Sequence, residues 1–342
     1  MIDDLHWPST PGIPADLPNL PIRRIEMPMR RGFAGKACAY LVRTDDGDLL
    51  VDCGPSTPEA FSALDEQLEE AGADPRQLAM IVVTHGHPDH IGSTGRLQAH
   101  GVPVLAHQRD AEMLARRRAD PAAYQAELQA WLAVCGVPAE EAADWSDLLA
   151  SRLPRLTFAP DRFVEDGEQV TLGSLSLEVR WTPGHTPGHI VLWEPARRLL
   201  FTGDHVLPDL APNVGIEPGW LDDPLRAYTE SLEALAQTKE VTGLPGHGEP
   251  FDPAPRAAAL LEHQRARSAA ILEAVGAGAP DAYAIARRLW AADTWAGFSP
   301  YIRTNAIRTV SAHLARLFAD GKVETGPVTW QFRLAARPVH LP

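Results

Sequence analysis

The sequence has little cysteine and no long apolar segment. Its 342 residues include three cysteines, Cys38, Cys53 and Cys135, which are widely spaced and form no CxxC pair. This pattern predicts neither a disulfide framework nor a thiolate metal site, so we expect three free, structural thiols. No apolar run approaches the roughly 20 residues that a membrane-spanning helix needs, and a basic flank followed by an apolar core is missing at the N-terminus. We therefore expect a cytoplasmic protein that does not enter the membrane.

Positive charge is scarce in most of the chain. The formal net charge is −14, but residues 256–342 carry 11 Lys and Arg against 6 Asp and Glu, which leaves −19 for residues 1–255. Nucleic-acid binding depends on basic contacts with phosphates, so the acidic part disfavours a nucleic-acid partner. The basic C-terminal part keeps that partner open as the less favoured alternative. A GxSxG motif is also missing, so the sequence does not indicate a serine nucleophile of that kind.

The chain divides into parts by composition. Residues 1–20 contain four prolines, which predicts an irregular arm on the surface. Residues 21–253 alternate short strands with helices, which indicates a layered α/β domain. An Ala-rich helical insertion at residues 109–155 is either a lid or a segment packed onto the body of that domain, and we prefer the packing. Residues 254–342 are predicted to form a long helix, two further helices and a hairpin, an order that resembles a winged helix.

The densest group of potential metal ligands follows residues 79–83, which have the character of a buried strand. His85 and His87 lie where that strand must end, and Asp89 and His90 follow a proline that suits the first turn of a helix. Four side chains thus converge from one rigid strand-turn-helix unit. Imidazole and carboxylate are the ligands of catalytic zinc-type sites, so this stretch predicts a metal site rather than a solvated polar loop.

Three later strands end in the same way. They lead to His185, Asp204 and His247, each next to a glycine that lets the backbone come close. A structural metal site needs about four ligands and a catalytic one about three plus water, so seven ligands fit two metals better than one. Asp204 is the obvious bridge, because a carboxylate has two oxygens and can bind both ions.

This series of ligands resembles the metallo-β-lactamase superfamily, whose HxHxDH motif is matched by residues 85–90. The likeness covers residues 22–250 and implies an α/β fold of the αββα sandwich type, with the metals at one edge of the sheets. It also implies a division of the ligands between two ions. One ion would take His85, His87 and His185, the other would take Asp89, His90 and His247, and Asp204 with a hydroxide would bridge them.

The complete ligand set resembles the glyoxalase II, lactonase and RNA-processing branches more than the true β-lactamases, some of which use cysteine. The resemblance implies two divalent ions, with Zn²⁺ expected and Mn²⁺ or Fe²⁺ also compatible. Such ions lower the pKa of a shared water and polarise the scissile carbonyl or phosphoryl group. Asp89 and Asp204 would then be the catalytic side chains, with Asp89 orienting the hydroxide.

Four further residues are candidates for supporting roles. Asp52 ends a strand and either orients a metal ligand or caps a turn. His189 follows one predicted ligand, and we expect it to donate to a backbone group or a carboxylate rather than to contact substrate. His205 follows another and could reach substrate, although a contact that supports a ligand is preferred. Asn213 lies in the Pro-rich loop 207–220, which we expect to line the cleft.

The expected function is hydrolysis of a small ester or thioester by a metal-bridging hydroxide, as in glyoxalase II-like enzymes. A metal-dependent endoribonuclease is the alternative that the winged-helix-like tail would suit. A lactonase also stays open, because the site does not distinguish a cyclic from a linear ester. The tail further allows a homodimer, as a dimerisation or regulatory module, and we prefer this to nucleic-acid binding.

Overall fold

The protein forms two β-sheets that pack face to face, with helices on both outer sides. The structure is a computed structural model that describes residues 22–29, 35–151, 158–216, 218–219, 223–325 and 332–334. The arm predicted for residues 1–20 lies outside the described residues. So do parts of the insertion, of loop 207–220 and of the C-terminal hairpin.

The six strands of the first sheet lie in chain order. They are β1 (Ile22–Pro28), β2 (Lys36–Thr44), β3 (Gly47–Val51), β4 (Met80–Val82), β5 (Val104–His107) and β6 (Arg162–Val164). Strands β1 to β3 are antiparallel, and β3 to β6 are parallel. Parallel neighbours need crossover connections, and the helices between these strands supply them.

The second sheet has five strands in the order β11-β10-β9-β8-β7. They are β7 (Gln169–Leu172), β8 (Leu175–Trp181), β9 (Ile190–Glu194), β10 (Leu199–Gly203) and β11 (Thr242–Pro245). Only β10 and β11 are parallel to each other as neighbours. A separate antiparallel pair, β12 (Val323–Thr325) and β13 (Phe332–Leu334), forms the C-terminal hairpin.

Eleven helices are present in the described residues. They are α1 (Pro58–Glu70), α2 (Pro88–Ile91), α3 (Thr94–Gln98), α4 (Gln108–Ala119), α5 (Pro121–Val134), α6 (Ala139–Ala150), α7 (Pro224–Ala236), α8 (Pro253–Gly276), α9 (Ala282–Leu289), α10 (Ala292–Gly297) and α11 (Pro300–Ala319). None of the helices described is both long and apolar enough to cross a membrane.

Three hydrophobic layers hold the sandwich together. Between the sheets, alternate residues of β8 such as Leu177 and Val179 are buried against first-sheet residues such as Tyr40 and Val82. Helices α1 to α4 cover the outer face of the first sheet, and α7 and α8 cover that of the second. The order helix, sheet, sheet, helix is the sandwich that the sequence predicts.

The insertion packs differently from our expectation. Met113 and Leu114 of α4 do contact the body of the sandwich. The apolar residues of α5 and α6, including Leu128 and Trp145, instead share one core with α9, α10, α11 and the end of α8. We call this core, which joins residues 124–149 to residues 271–323, the joint helical core. It forms because neither segment alone can bury its apolar face against the sheets.

Two further differences concern helices. The helix expected to begin at the proline before Asp89 is interrupted between α2 and α3, because the N–H of Gly92 donates to the carbonyl of Gly54, 2.7 Å away, instead of continuing the helix. Helix α7 was not predicted at all. The three cysteines, in contrast, are free and buried as expected.

Candidate metal centre

The polar residues predicted at the strand ends lie together at one edge of the sandwich. Strands β4, β8, β10 and β11 end there, because β8 is parallel to β10 and β10 is parallel to β11. The donor atoms form three overlapping groups in which all atoms lie within 4.8 Å of one another. The groups comprise the seven predicted ligands His85, His87, Asp89, His90, His185, Asp204 and His247.

Three imidazoles meet at one point of this edge. Nδ1 of His87 lies 3.0 Å from Nε2 of His85 and 2.9 Å from Nε2 of His185. The other nitrogen of His185, Nδ1, donates to the carbonyl of Asn213 at 2.9 Å, so its Nε2 carries a lone pair. Nδ1 of His85 lies 3.2 Å from the Thr84 hydroxyl, which itself donates to Asp52. The lone pairs of His85 Nε2 and His185 Nε2 thus both face Nδ1 of His87, which can donate a hydrogen bond to only one of them. A metal cation between the three nitrogens would be bound by all of them.

The second group combines imidazoles with carboxylates. Nε2 of His247 lies 3.3 Å from Oδ2 of Asp89 and 3.4 Å from Oδ2 of Asp204. Nε2 of His90 lies 3.5 Å from Oδ1 of Asp204, and neither atom has a hydrogen-bond partner among the described residues although both are buried. Buried polar atoms rarely lack a hydrogen-bond partner, so Nε2 of His90 and Oδ1 of Asp204 are suited to bind a common metal ion.

Asp204 stands between the two groups. Its Oδ2 lies 3.6 Å from Nε2 of His185 and 3.4 Å from Nε2 of His247. The backbone next to the carboxylate is tightly packed: a Cβ on Gly246 would lie 2.4 Å from Asp204 Oδ1 and 2.5 Å from Cε1 of His90. Glycine is therefore required there, which explains the Gly-His order at the end of β11.

The charge states of these groups suit metal binding. Burial lowers the pKa of His85 well below its ordinary value, lowers that of His87 to about 3, and lowers that of His185. Burial would raise the pKa of Asp204, but the imidazoles of His247 and His90 hold it well below its usual range. Neutral imidazoles and ionised carboxylates are the forms that bind metal ions.

The remaining two imidazoles pair with these carboxylates. Burial lowers the pKa of His90, but Asp204 and Asp52 together raise it to about 10. Burial likewise opposes the shift at His247, where Asp204 and Asp89 raise the pKa to about 12. The carboxylates thus attract positive charge to this side of the centre, as a metal-binding site must.

Asp52 contacts the centre through His90. Oδ2 of Asp52 accepts from Nδ1 of His90 and from the hydroxyl of Thr84, both at 2.8 Å. Oδ1 of Asp52 accepts from the backbone N–H of Thr84 at 2.7 Å. The backbone of Asp52 has φ 59°, a left-handed conformation that few residues other than glycine adopt. Of the two roles expected for Asp52, its contacts favour the orientation of a metal ligand.

The other three candidates lie close to the ligands but differ in their contacts. His189 accepts from the N–H of Asp204 through Nε2 at 3.1 Å, and its Nδ1 lies 3.0 Å from the Thr182 hydroxyl. The expectation that His189 donates to a backbone group or a carboxylate was therefore wrong, because Nε2 of His189 acts as the acceptor. His205 is buried against Tyr228, and burial lowers the pKa of its ring to about 3.

Asn213 reaches the centre through its backbone. Its carbonyl accepts from His185, and its side-chain Oδ1 accepts from the hydroxyl of Thr309 on α11 at 2.6 Å. Loop 207–220 therefore connects the C-terminal helices to a predicted ligand. In the same way, the carbonyl of Lys36 accepts from Nδ1 of His247 at 2.9 Å.

One buried carboxylate near the centre was missed by the sequence reasoning. Asp110, in the first turn of α4, is 1% exposed and accepts hydrogen bonds from the loops that carry His85 and His185. A signal was present, since Asp110 stands three and four residues before Met113 and Leu114, on the apolar face of its helix. A charged residue in that stripe needs a partner in the interior.

Comparison with known proteins begins with a family match. Residues 34–247 match the sequence model of the metallo-beta-lactamase superfamily, which is more than half of the chain. The matched range contains all seven predicted ligands. It excludes the C-terminal helices from α8 onward.

Two relatives show the range of similarity. The protein named "Probable metallo-hydrolase YqjP" of Bacillus subtilis (strain 168) is 28% identical over 221 residues, which are 64% of this chain and 68% of the relative. The human acyl-coenzyme A thioesterase MBLAC2 is 32% identical over 176 residues, which are 50% of this chain and 58% of that enzyme. The similarity to the human enzyme thus leaves a large part of both chains unmatched.

Solved structures match over more of the chain. A metallo-beta-lactamase family protein from Thermus thermophilus has a TM-score of 0.77 and 26% identity, and the match covers 92% of this chain and 98% of the other. A beta-lactamase domain protein from Burkholderia ambifaria also has a TM-score of 0.77, with 23% identity and 92% of both chains covered, and supports the fold alone. The likeness therefore extends into the C-terminal helices.

Proposed function

Because this chain belongs to the metallo-β-lactamase superfamily and is a metal-dependent hydrolase, we propose that it hydrolyses small acyl thioesters or esters at a centre of two divalent metal ions. The predicted α/β metallo-β-lactamase fold is confirmed by the family match and by the solved structures. The observation that carries the proposal is the position of Asp204 between two three-ligand groups, with its Oδ2 3.6 Å from Nε2 of His185 in one group and 3.4 Å from Nε2 of His247 in the other.

The two groups would divide the metal ions between them. His85, His87 and His185 would hold one ion through the three nitrogens that already converge. Asp89, His90 and His247 would hold the other, and Asp204 would contribute to both. We propose zinc as the native metal, with Mn²⁺ or Fe²⁺ as the alternatives that the same donors accept.

The chemistry requires no covalent protein nucleophile. Divalent ions held by the two groups would supply a water molecule of lowered pKa and Lewis-acid polarisation of the scissile carbonyl oxygen. Asp89 is only partly buried and has a second oxygen free of His247, so it can orient that water toward the substrate. Asp52 and Asn213 keep His90 and His185 in the orientation and tautomer that ligation needs.

A thioester is the substrate class with the most support. The human relative is named as an acyl-coenzyme A thioesterase, and its similarity covers 50% of this chain. We therefore place the reaction in the glyoxalase II-like class of acyl-thioester hydrolysis.

The structure offers little support for RNA as substrate. Among the C-terminal arginines, Arg303 donates to the carbonyls of Trp295 and Ala296, and Arg316 pairs with Asp223 and Asp320. Such contacts within the chain leave less free positive charge for a phosphate backbone. We propose the segment 254–342 as a winged-helix-like module that completes the catalytic domain, with a homodimer as a further proposal.

The test is a hydrolysis screen with defined metal content. Protein stripped by a chelator should bind close to two equivalents of Zn²⁺ and regain activity on a panel of acyl-coenzyme A thioesters. The panel also includes lactones and single-stranded RNA, each assayed with Zn²⁺, Mn²⁺ and Fe²⁺. Turnover of RNA or lactones alone would reassign the substrate, and no turnover above the metal-free control on any of them would refute the proposal.

Two variants distinguish loss of the proposed metal centre from a general effect of substitution on activity. Asp204→Ala should lower activity by more than about 100-fold, since loss of a supporting partner of a ligand already costs about 10- to 100-fold. Asp46→Ala, in the exposed turn between β2 and β3, should keep full activity and metal content. Full activity of Asp204→Ala would contradict the proposal.

A further inference from the structure

We propose that Asp110 is a positioning residue that joins the two loops of the first metal group and sets the affinity of that group for its ion. This inference rests on the proposed function, because it concerns the metal held by His85, His87 and His185. It assigns a role to a residue outside the seven ligands. No contact between Asp110 and the ion is implied.

The carboxylate of Asp110 makes three short hydrogen bonds. Oδ2 accepts from the N–H of Gly86 at 2.6 Å and from the hydroxyl of Thr186 at 2.7 Å. Oδ1 accepts from the N–H of Gly188 at 2.6 Å. Hydrogen bonds to an ionised group are the stronger kind, and all three are buried.

These partners lie next to the ligands in the chain. Gly86 separates His85 from His87, so its N–H fixes the turn that aims both imidazoles. Thr186 directly follows His185, so its hydroxyl fixes the second loop. The two loops are about 100 residues apart in sequence, yet His87 Nδ1 and His185 Nε2 lie 2.9 Å apart. One carboxylate therefore bonds to both loops directly behind the point where their imidazoles meet.

The loops are packed closely against Asp110. A Cβ on Gly188 would lie 2.5 Å from the Asp110 backbone nitrogen and 2.8 Å from its carboxylate carbon. Such a contact is too short for any side chain, so only glycine allows the second loop to reach the carboxylate. The close contact between α4 and the second loop therefore depends on two residues, Asp110 on the helix and Gly188 in the loop.

The charge of Asp110 also fits this role. The carboxylate is 1% exposed, and its three hydrogen bonds come from uncharged donors, two backbone N–H groups and a hydroxyl. An ionised carboxylate buried without a cation is costly, and hydrogen bonds offset only part of that cost. The nearby imidazole group is where a metal ion would supply the missing positive charge. Asp110 thus adds negative charge next to the first metal group, in addition to holding the two loops in place.

The test compares metal affinities in three full-length proteins. Asp110→Asn keeps the size of the side chain but replaces one acceptor oxygen by an NH₂ group, which cannot accept from the loops. We expect the affinity of one of the two sites to fall about 10- to 100-fold, as for other partners that orient metal ligands. The second site, with Asp89, His90 and His247, should change by less than about threefold. Chelator-competition titration with Zn²⁺ measures both sites, and visible absorption of the Co²⁺ protein reports their geometry.

Asp161→Asn is the matched control. Asp161 also accepts a backbone N–H, that of Val104 at 2.8 Å, but at the start of β5 and away from the centre. A purely structural effect would lower the thermal stability of the metal-free protein in both variants without changing the Co²⁺ spectrum. The inference requires the spectrum and the affinity to change in Asp110→Asn alone.

Each outcome has a definite meaning. Two wild-type affinities in folded Asp110→Asn would overturn the inference while leaving the proposed function intact. Failure of the wild-type protein to bind any divalent ion would instead refute the proposed function. If Asp110→Asn does not fold, Thr186→Val removes a single bond and should weaken the same site by about threefold or more, and an unchanged affinity would overturn the inference.

Discussion

Asp52 combines an uncommon backbone conformation with three buried hydrogen bonds. A residue other than glycine with φ 59° has a strained backbone, which persists only where the surrounding structure imposes it. Such strain is concentrated at functional sites. Here the left-handed turn aims the carboxylate at His90 and at both polar groups of Thr84. Asp and Asn tolerate this conformation better than most residues, so the position can be tested without breaking the turn.

Asp52→Asn should weaken the metal site that contains His90. The amide offers one acceptor atom where the carboxylate offers two, so it cannot accept from all three donors, which are the backbone N–H and hydroxyl of Thr84 and Nδ1 of His90. We expect zinc affinity at that site to fall about 10- to 100-fold. A competition titration of chelator-stripped protein measures the change. Asp74→Asn, which loses a surface contact with Arg76, should bind zinc as the wild type does, and a folded Asp52→Asn protein that also does so would contradict the prediction.

At the scale of single residues, the candidate metal ligands were easier to identify from the sequence than the groups that hydrogen-bond to them. Histidine and aspartate at strand ends are visible in the sequence, because the chemistry lies in the side chain itself. The carbonyls that accept from His185 and His247 belong to Asn213 and Lys36, and any residue could supply them. Asp110 could have been noticed as an acid on an apolar helix face, but its partners depend on the tertiary fold.

Helix α11 links the C-terminal part of the chain to the metal centre. The buried hydroxyl of Thr309 donates to Asn213, whose carbonyl holds His185, and the carbonyl of Arg308 accepts from the N–H of Ile216. The helix thus supports loop 207–220 at two points. A dimerisation module with no connection to the site would have no need of these contacts.

Thr309→Val should disturb the centre, whereas Thr304→Val on the same helix should not. Both hydroxyls are buried, but that of Thr304 donates within the helix, to the carbonyl of Pro300. We expect each variant to lose about 1 kcal/mol of unfolding free energy in urea titrations. Only Thr309→Val should also weaken zinc binding, by a few-fold. Equal zinc affinities of the two variants would show that α11 does not act on His185.

At the scale of elements, the strands were predicted well and the helices less so. Buried β-formers leave few alternatives, and the strand predicted over residues 79–83 agrees within one residue at each end with β4, Met80–Val82. The split between α2 and α3 depends on a hydrogen bond to Gly54 from a distant turn. Helix α7, which the sequence analysis did not predict, carries a clear start signal in Asp223, which precedes a proline and accepts from the N–H of Arg226.

The joint helical core makes two distant parts of the chain one structural unit. Trp145 of the insertion is 2% exposed, and its ring centroid lies 6.5 Å from that of Tyr283 on α9. A sequence reading separates these segments by more than a hundred residues and assigns them to different domains. Their association arises only because two amphipathic segments each leave an apolar face that the sheets do not cover.

Trp145→Ala should therefore affect the C-terminal helices as well as the insertion. Loss of a buried tryptophan typically costs about 3–5 kcal/mol, which urea unfolding would measure. Limited proteolysis should then cut faster within residues 276–319, far from the substitution. Val134→Ala, at a side chain that is 43% exposed on α5, should change stability by less than about 0.5 kcal/mol. Faster cleavage confined to residues 121–150 would argue for two independent units.

The contact between Thr309 and Asn213 also has a bearing on biosynthesis. Helix α11 follows every proposed ligand in the chain, so a growing polypeptide has exposed all seven of them before this helix leaves the ribosome. Until then Asn213, whose carbonyl accepts from His185, lacks its hydrogen bond from Thr309. Under the proposed two-metal centre, binding of the ions would thus be a late event in the maturation of the nascent protein.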